Sequence, residues 1–296
     1  MSLVVTLICN PANPALDSTA VEAVRAILPS PSQADWLFDG VAADIAFASD
    51  ENQRTLQNKL RHALGDLPVD VVVQPKATRR KRLFLADMDS TMIGQECIDE
   101  LAAFAGLKAH VAAITERAMR GELEFEPALR ERVAKLKGLA LGALQRTYDE
   151  RVRLNPGAAT LVRTMAAHGA RCVLVSGGFS FFTKRVAEAA GFHAQRANLL
   201  LDDGAALTGL VQEPVLGREA KLRALQEEAV ALGLTADAAL AIGDGANDLA
   251  MIKAAGLGIA YRAKPIVATE ARARIEHTGL ETALFLQGYH RSEFAQ

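Results

Sequence analysis

The stretch LFLADMDST, residues 83–91, joins a run of apolar residues to two carboxylates. The apolar run Leu83–Ala86, which lies between polar neighbours, predicts a buried strand. Asp87 and Asp89 are therefore expected at the carboxyl end of a strand, the edge at which open α/β sheets bind their ligands. Two acids after a strand are also typical of a turn and a helix cap, so the pair alone leaves both interpretations open.

Three more motifs follow along the chain: Ser176-Gly177-Gly178, Lys221 and the loop GDGAND at residues 243–248. Arg171–Val175 predicts a strand that leads into the first motif, and Ala238–Ile242 predicts a strand that leads into the third. Small residues at the start of a helix leave backbone N–H groups open to an anion, which the helix dipole also favours. We therefore expect all the motifs to meet at one edge of one sheet.

In this order the motifs resemble those of haloacid-dehalogenase-superfamily hydrolases, and more closely those of the phosphoserine phosphatases in that superfamily. The resemblance covers about residues 83–280. It implies an α/β fold with a doubly wound, Rossmann-like parallel sheet, which agrees with the alternation of predicted strands and helices after residue 83. Residues 92–155 have helical spacing and predict a small helical cap inserted over the strand ends, and residues 198–211 predict a hairpin.

Residues 1–76 lack these motifs and show another pattern. Strand-like and helical stretches follow one another as βαββαβ, with Asp39-Gly40 as a hairpin turn. This order is ferredoxin-like and resembles the ACT-like domains that accompany amino-acid enzymes. We expect an ACT-like regulatory and dimerisation domain over residues 1–76 and the phosphatase domain over residues 77–296. The predicted strands are Leu3–Cys9, Ala34–Phe38, Ala42–Ala48 and Val69–Val73, and the predicted helices are Ala15–Leu28 and Asn52–Leu64.

The composition argues against several classes of protein. Half of the 296 residues are hydrophobic, and the net charge of −2 gives no general attraction to nucleic acid or to anionic membranes. The basic run at residues 79–82 has no interleaved aromatic residues, so we interpret it as a solvated linker. No run approaches the ~18 apolar residues of a membrane span, and no signal-peptide pattern is present. Cys9, Cys97 and Cys172 form no CxxC pair, which favours a reducing cytoplasm.

A phosphate monoester carries nearly two negative charges and repels a carboxylate nucleophile. Two unit charges ~4 Å apart interact by about 4 kcal/mol at an effective dielectric constant of about 20, so such a site needs compensating cations. Lys221 offers one cation, and acidic oxygen ligands suit Mg²⁺ as the other. The resemblance implies that Mg²⁺ is held by Asp87, by the backbone carbonyl of Asp89 and by Asp244.

The resemblance also implies the catalytic roles. Asp87 is then the nucleophile, which forms an aspartyl-phosphate intermediate. Asp89 is the general acid that protonates the leaving alkoxide and later acts as a base toward water. Transport ATPases of the superfamily have Thr at the position of Asp89 and carry membrane helices, so a phosphatase or phosphotransferase is favoured.

A further set of residues is expected to hold the phosphoryl group or to support the metal ligands. Arg218 is the main competitor of Lys221 for the cationic role. Asp248 and Thr91 are expected behind the metal ligands, although Asp248 is also suited to capping a helix. The predicted phosphoryl-binding residues are Ser176, Gly177, Gly178, Lys221 and Asn247.

Residues of the cap predict which ester is bound. The segments around Glu96 and Arg132 resemble phosphoserine phosphatases, which implies that Glu96 binds the substrate ammonium and Arg132 binds its carboxylate bidentately. Phe125 would shield the site when the cap closes. The alternative is that both charges belong to the solvated faces of amphipathic helices, where most such charges lie.

The expected function is Mg²⁺-dependent hydrolysis of phosphoserine, the last step of serine biosynthesis, by a cytoplasmic enzyme. Three alternatives stay open: a phosphatase or phosphotransferase for another small phosphomonoester, a receiver-like signalling domain, and an amino-acid-sensing binding protein. Asp89 and the cap argue against a receiver, which needs slow hydrolysis and open access. Unpaired sheet edges in residues 1–76 predict a homodimer, with serine as the candidate effector.

Overall fold

The computed structural model describes residues 1–295, which form a four-stranded sheet, a six-stranded sheet and a hairpin. The strands are β1 (Ser2–Cys9), β2 (Asp35–Phe38), β3 (Ala42–Ala48), β4 (Val69–Pro75), β5 (Leu83–Ala86), β6 (Arg171–Phe179), β7 (Ala194–Asn198), β8 (Leu200–Asp202), β9 (Leu207–Val211), β10 (Ala239–Gly243), β11 (Leu257–Tyr261) and β12 (Ala273–Ile275). The helices are α1 (Ser18–Arg25), α2 (Gln53–Leu64), α3 (Cys97–Phe104), α4 (Lys108–Met119), α5 (Phe125–Ala134), α6 (Gly142–Arg151), α7 (Ala158–Ala167), α8 (Ser180–Ala190), α9 (Arg218–Ala231), α10 (Leu249–Ala254), α11 (Pro265–Glu270) and α12 (Thr282–Leu286). Over residues 1–295, each helix is too short or too polar to cross a bilayer.

The four-stranded sheet lies within residues 1–76. Its strands are antiparallel in the order β2-β3-β1-β4, and α1 and α2 bury Val24 and Leu60 against it. Gly40 adopts φ +67° in the turn between β2 and β3, a conformation that glycine reaches without steric cost. The ferredoxin-like arrangement predicted from the alternation of elements is therefore present, whereas the relationship to ACT-like domains stays a prediction.

The six-stranded sheet is parallel and carries the motifs at one edge. Its order is β12-β11-β10-β5-β6-β7. Phe84 and Ala86 of β5 pack into one hydrophobic cluster, and Leu83 and Leu85 pack into another. This burial on both faces explains why β5 is a continuous apolar run. Because β10 and β6 flank β5 on opposite sides, the loops that follow these three strands converge.

The helices α3 to α6 form the insertion between β5 and β6. Its ends are held together by an antiparallel bridge from Ile93 to Leu154 and by the Asn155 N–H, which donates to the Met92 carbonyl at 2.9 Å. The β8–β9 hairpin predicted within residues 198–211 is present. The insertion supports the cap predicted over residues 92–155. The two separate sheets support the predicted division of the chain at residues 76/77. Both remain predictions.

The basic run at residues 79–82 is only in part the solvated linker that we expected, because Arg80 and Arg82 are exposed whereas Arg79 and Lys81 are not. Arg79 forms an ion pair with Asp44 of the four-stranded sheet, and both side chains are largely buried. Lys81 is buried, and its Nζ donates to two backbone carbonyls at 2.8 Å each. The run therefore helps to join the two sheets. Arg79 pairs with a carboxylate of the four-stranded sheet, and Lys81 donates to the Asp237 carbonyl just before β10.

A second junction between the sheets is centred on Asp70 of β4. Its buried carboxylate accepts hydrogen bonds from the N–H groups of Glu276 and His277, at 2.9 and 3.3 Å, and from the Thr278 hydroxyl at 2.6 Å. One edge of the four-stranded sheet is thus attached to the segment that follows β12.

Candidate active site

Asp87 follows β5 and lies beside a buried ammonium group. Lys221 donates from Nζ to Asp87 Oδ2 at 2.7 Å and to Asp248 Oδ1 at 2.6 Å, and its side chain is 0% exposed. Arg218, the predicted competitor, instead lines an outer cleft. Lys221 is therefore the cation placed to offset charge on Asp87.

The loop at residues 243–248 wraps around the carboxylate of Asp248. Its Oδ2 accepts hydrogen bonds from the N–H groups of Asp244 and Gly245 at 3.2 and 3.1 Å. A Cβ at Gly243 would lie 2.4 Å from the Asp248 carboxylate carbon, so a side chain there would displace the loop. Asp248 makes no side-chain capping bond to α10, but its bond to the Gly245 N–H caps the 3₁₀ turn Ala246–Asp248. Its ion pair with Lys221 supports a further role behind the predicted metal ligands.

Three buried carboxylates form a cluster suited to a hard cation. Oxygen atoms of Asp87, Asp244 and Asp248 lie within 4.8 Å of one another, and Thr91 donates to Asp244 Oδ1 at 2.9 Å. Burial and the Asp248 charge raise the pKa of Asp87 well above its usual range, and the same two causes raise the pKa of Asp244 to about 7. One ammonium group does not balance this charge, so the cluster fits a divalent cation with oxygen ligands, as Mg²⁺ prefers.

Asp89 lies between the core and the cap. Its Oδ1 accepts the N–H of Cys97, the first residue of α3, at 2.9 Å, and its Oδ2 accepts the Ser176 hydroxyl at 3.4 Å. Burial raises the pKa of Asp89. A carboxyl group with a raised pKa is suited to donating a proton near neutral pH.

β6 extends four residues beyond the predicted strand Arg171–Val175 and includes residues 176–178. Its pairing with β7 is irregular between Val175 and Phe179, and α8 begins directly after it at Ser180. A Cβ at Gly177 would lie 2.4 Å from the Phe125 ring, and one at Gly178 would lie 2.6 Å from Asp89 Oδ2. Both positions therefore require glycine, since the site is packed tightly against them.

Asn198 is a site-supporting residue that the sequence did not reveal. Its Nδ2 donates to the Gly177 carbonyl at 2.8 Å, and its Oδ1 accepts the Leu216 N–H at 2.6 Å. It therefore fixes the irregular stretch of β6 to the segment before α9. A single Asn at the end of a strand carries no sequence pattern that distinguishes this role.

Most of the predicted site residues line one small cavity. Its volume is about 30 Å³, which is enough for at least one water molecule. Four apolar residues that we did not predict also line it: Ile98, Met119, Leu129 and Phe179. In the sequence they resemble ordinary core positions. The predicted residues that line it are Asp87, Asp89, Glu96, Phe125, Arg132, Ser176, Gly177, Gly178 and Asn247. Within residues 1–295, Asn247 Oδ1 is buried without a hydrogen-bond partner.

Phe125 separates this cavity from a larger cleft outside. The outer cleft has a volume of about 710 Å³, and both Phe125 and Asn247 line the two spaces. The ring of Phe125 packs directly over Gly177. Phe125 of the α3–α6 insertion therefore covers the cavity that contains Asp87.

Arg132 is buried and Glu96 is half-buried, so neither is a solvated helix charge. Arg132 is 2% exposed and donates to the Ala128 carbonyl and the Thr115 hydroxyl at 3.0 Å each. Glu96 accepts the Ser90 hydroxyl at 2.6 Å. Burial raises the pKa of Glu96 well above its usual range and lowers the pKa of Arg132. Among residues 1–295, neither has an oppositely charged group within ion-pairing distance.

Comparisons with known proteins agree with this geometry. Residues 84–253 match a family model described as haloacid dehalogenase-like hydrolase. A curated phosphoserine phosphatase from Polaromonas is 46% identical over 210 residues, which cover 69% of this chain and 89% of that protein.

Two solved structures resemble the chain. A HAD-family hydrolase of Salmonella enterica serovar Typhi has a TM-score of 0.84 at 27% identity, covering 96% of this chain and 98% of its own. A structure described as a phospho-aspartyl intermediate analogue of phosphoserine phosphatase has a TM-score of 0.67 at 38% identity, covering 70% of this chain and 98% of its own. The first resembles almost the whole chain, and the second covers a smaller part at higher identity.

Mg²⁺ is expected to raise the thermal unfolding midpoint more at about pH 8 than at about pH 6, because protons compete with the cation for the carboxylates. The pKa of Asp244, raised to about 7, sets this window. A raised pKa in the folded state means that the metal-free protein loses stability as pH rises through that value, and bound Mg²⁺ offsets the loss. Thermal shift measurements with and without Mg²⁺ across this range test it.

The exposed residue Asp203 provides the control for this experiment. Asp244→Asn should remove most of the Mg²⁺-induced shift, whereas Asp203→Asn should keep it. An equal shift at both pH values, or a shift that survives in Asp244→Asn, would contradict a metal site at this cluster.

Proposed function

The chain belongs to the haloacid dehalogenase-like hydrolase family, and we propose that its reaction is the hydrolysis of O-phosphoserine to serine and inorganic phosphate. The observation that carries this proposal is a pair of opposite charges in the nucleophile's cavity, one buried and one half-buried, neither of which forms an ion pair. Glu96 and Arg132 line the same cavity as Asp87. A phosphorylated amino acid supplies both missing partners, an ammonium group for Glu96 and a carboxylate for Arg132.

In the proposed first step, Asp87 attacks phosphorus while the bond from phosphorus to the serine oxygen breaks. Asp89 gives its proton to that oxygen, so serine leaves as a neutral alcohol and an aspartyl phosphate forms. In the second step Asp89 takes a proton from water, which displaces Asp87 and releases phosphate. Lys221, 2.7 Å from Asp87, offsets the negative charge in both steps.

Mg²⁺ fits the carboxylate cluster that includes Asp87. Its proposed ligands are Asp87, Asp244 and the backbone carbonyl of Asp89. It would supply the second positive charge near the phosphoryl oxygens. Asp248 and Thr91 support this set, because each is hydrogen-bonded to the Asp244 segment.

Four further cavity residues, together with the buried Lys221 beside Asp87, are proposed to hold the phosphoryl oxygens. They combine a hydroxyl, backbone N–H groups, an ammonium group and a side-chain amide, all of which can donate to an anion. Asn247 lines this cavity, so the N–H groups of its side-chain amide can donate to a phosphoryl oxygen. The proposed phosphoryl-binding residues are Ser176, Gly177, Gly178, Lys221 and Asn247.

We also propose a cellular setting for the reaction. The three cysteines are buried and free, which suits a reducing cytoplasm. A small-molecule phosphatase with this substrate completes the synthesis of serine.

Replacing either catalytic carboxylate is expected to abolish or severely slow phosphoserine turnover. Asp87→Asn should fall to background because a neutral amide does not attack phosphorus. Asp89→Asn should lose about 10²–10⁴-fold in kcat, as removal of a general acid–base group does. Phosphate release with Mg²⁺ measures both, with exposed Asp149→Asn as the matched control. Near-normal turnover by Asp87→Asn would refute the mechanism.

The cap charges are expected to determine selectivity. Arg132→Ala and Glu96→Gln should each lower kcat/KM for phosphoserine by about 10–100-fold, the value of a lost hydrogen bond to a charged group. Turnover of an aryl phosphate should change little, because that ester has no amino-acid groups for them to bind. Arg130→Ala, at an exposed position on the same helix, is the control. Equal losses on both substrates would assign these residues to folding or cap closure.

A homodimer is proposed to form through residues 1–76. β4 is attached to the segment after β12, whereas β2 is the other outer strand of its sheet, and an unpaired edge favours association. Light scattering should give a mass near twice that of the 31.6 kDa chain, and serine is the effector to add. A mass near that of one chain at micromolar concentration would contradict the dimer.

A further inference from the structure

A chain of hydrogen bonds joins three cap helices behind the cavity. Thr115 of α4 donates from Oγ1 to Asp99 Oδ1 of α3 at 2.6 Å, and Arg132 Nη1 of α5 donates to the same hydroxyl at 3.0 Å. The Val111 carbonyl, at 3.1 Å from Oγ1, is a competing acceptor for the hydroxyl proton. The shorter bond to a charged acceptor favours Asp99, and this leaves the hydroxyl lone pairs to accept from Arg132.

The three residues are buried but only one of them reaches the cavity. Asp99, Thr115 and Arg132 are 8%, 3% and 2% exposed, and Arg132 alone lines the space beside Asp87. Thr115 therefore does not contact a ligand in that cavity. Any effect it has on binding passes through the guanidinium group.

The hydrogen bonds of Arg132 fix the plane of its guanidinium group. Nε donates to the Ala128 carbonyl at 3.0 Å, and Nη1 donates to Thr115. A guanidinium group has five N–H donors in a rigid fork, and within residues 1–295 Arg132 forms only these two hydrogen bonds. The other donors are left for a bidentate acceptor such as a carboxylate.

We infer that Thr115, anchored by Asp99, is a positioning residue that aims Arg132 at the carboxylate of the substrate. The inference rests on the proposed function, because it assigns Thr115 to recognition of the amino-acid part of phosphoserine. A purely structural alternative is that the hydrogen-bond chain only holds α3, α4 and α5 together. The two roles differ in whether the effect depends on the substrate having a carboxylate.

The test compares O-phosphoserine with O-phosphoethanolamine, which is the same ester without the carboxylate. Thr115→Val removes the hydroxyl at similar volume. It should raise KM for phosphoserine about tenfold with little change in kcat, as expected for a lost hydrogen bond to a charged group. It should leave kcat/KM for phosphoethanolamine within about twofold. Thr115→Ser keeps a hydroxyl and should restore the KM.

Thr147→Val is the matched control. Thr147 is also a buried cap threonine, and its hydroxyl donates to the Ala143 carbonyl at 2.8 Å, without a link to Arg132. Asp99→Asn is the second variant, should Thr115→Val unfold. Its amide oxygen still accepts from Thr115 but carries no charge. KM for phosphoserine should therefore rise less than in Thr115→Val, again with little change in kcat/KM for phosphoethanolamine.

The outcomes distinguish a failure of the positioning role from a failure of the proposed function. Equal losses on both substrates, a comparable loss in Thr147→Val, or no recovery in Thr115→Ser would overturn the positioning role and leave the proposed function intact. A wild-type enzyme that does not hydrolyse phosphoserine would overturn both.

Discussion

The ammonium group of Lys221, shared between Asp87 and Asp248, is the interaction on which the rest of the site depends. Breaking a buried ion pair by removing one partner costs about 3–5 kcal/mol, because the remaining charge has no water to solvate it. Neighbouring groups donate hydrogen bonds to the buried carboxylates of the site. Backbone N–H groups of the loop at residues 243–248 serve Asp248, and Thr91 serves Asp244. The loops can converge in this way because β5 lies between β10 and β6.

Core and cap divide the proposed recognition between them. The core places charges around the phosphoryl position, and the cap places Glu96 and Arg132 where an amino acid would complete them. The two parts meet at Asp89, whose carboxylate accepts the N–H of Cys97 at the start of α3. The group proposed to move protons is thus also a contact that holds the cap near the core, so cap position and proton transfer share one side chain.

The sequence predicted the parts of the structure that local pattern determines. β5 and β3 have the predicted bounds, since apolar runs and turn residues mark strands directly. Patterns did not reveal partners distant in the chain. Arg79 resembles a solvated charge in the sequence, although it pairs with Asp44 in the fold. Arg218 remained the main competitor of Lys221, because the sequence does not show which of the two is buried. Thr115 and Asn198 act through single hydrogen bonds, which leave no periodicity in the sequence.

The closed cavity imposes an order of events. Phe125 covers a cavity of only about 30 Å³, so in the proposed mechanism serine and the hydrolytic water compete for the same volume next to Asp89. In that mechanism the alcohol must leave before water takes its place, which implies that the cap opens between the two half-reactions. Until it does, the departing serine is the nearest acceptor for the phosphoryl group. The proposed mechanism therefore implies that return to the ester competes with hydrolysis and that serine exchanges into phosphoserine during net turnover.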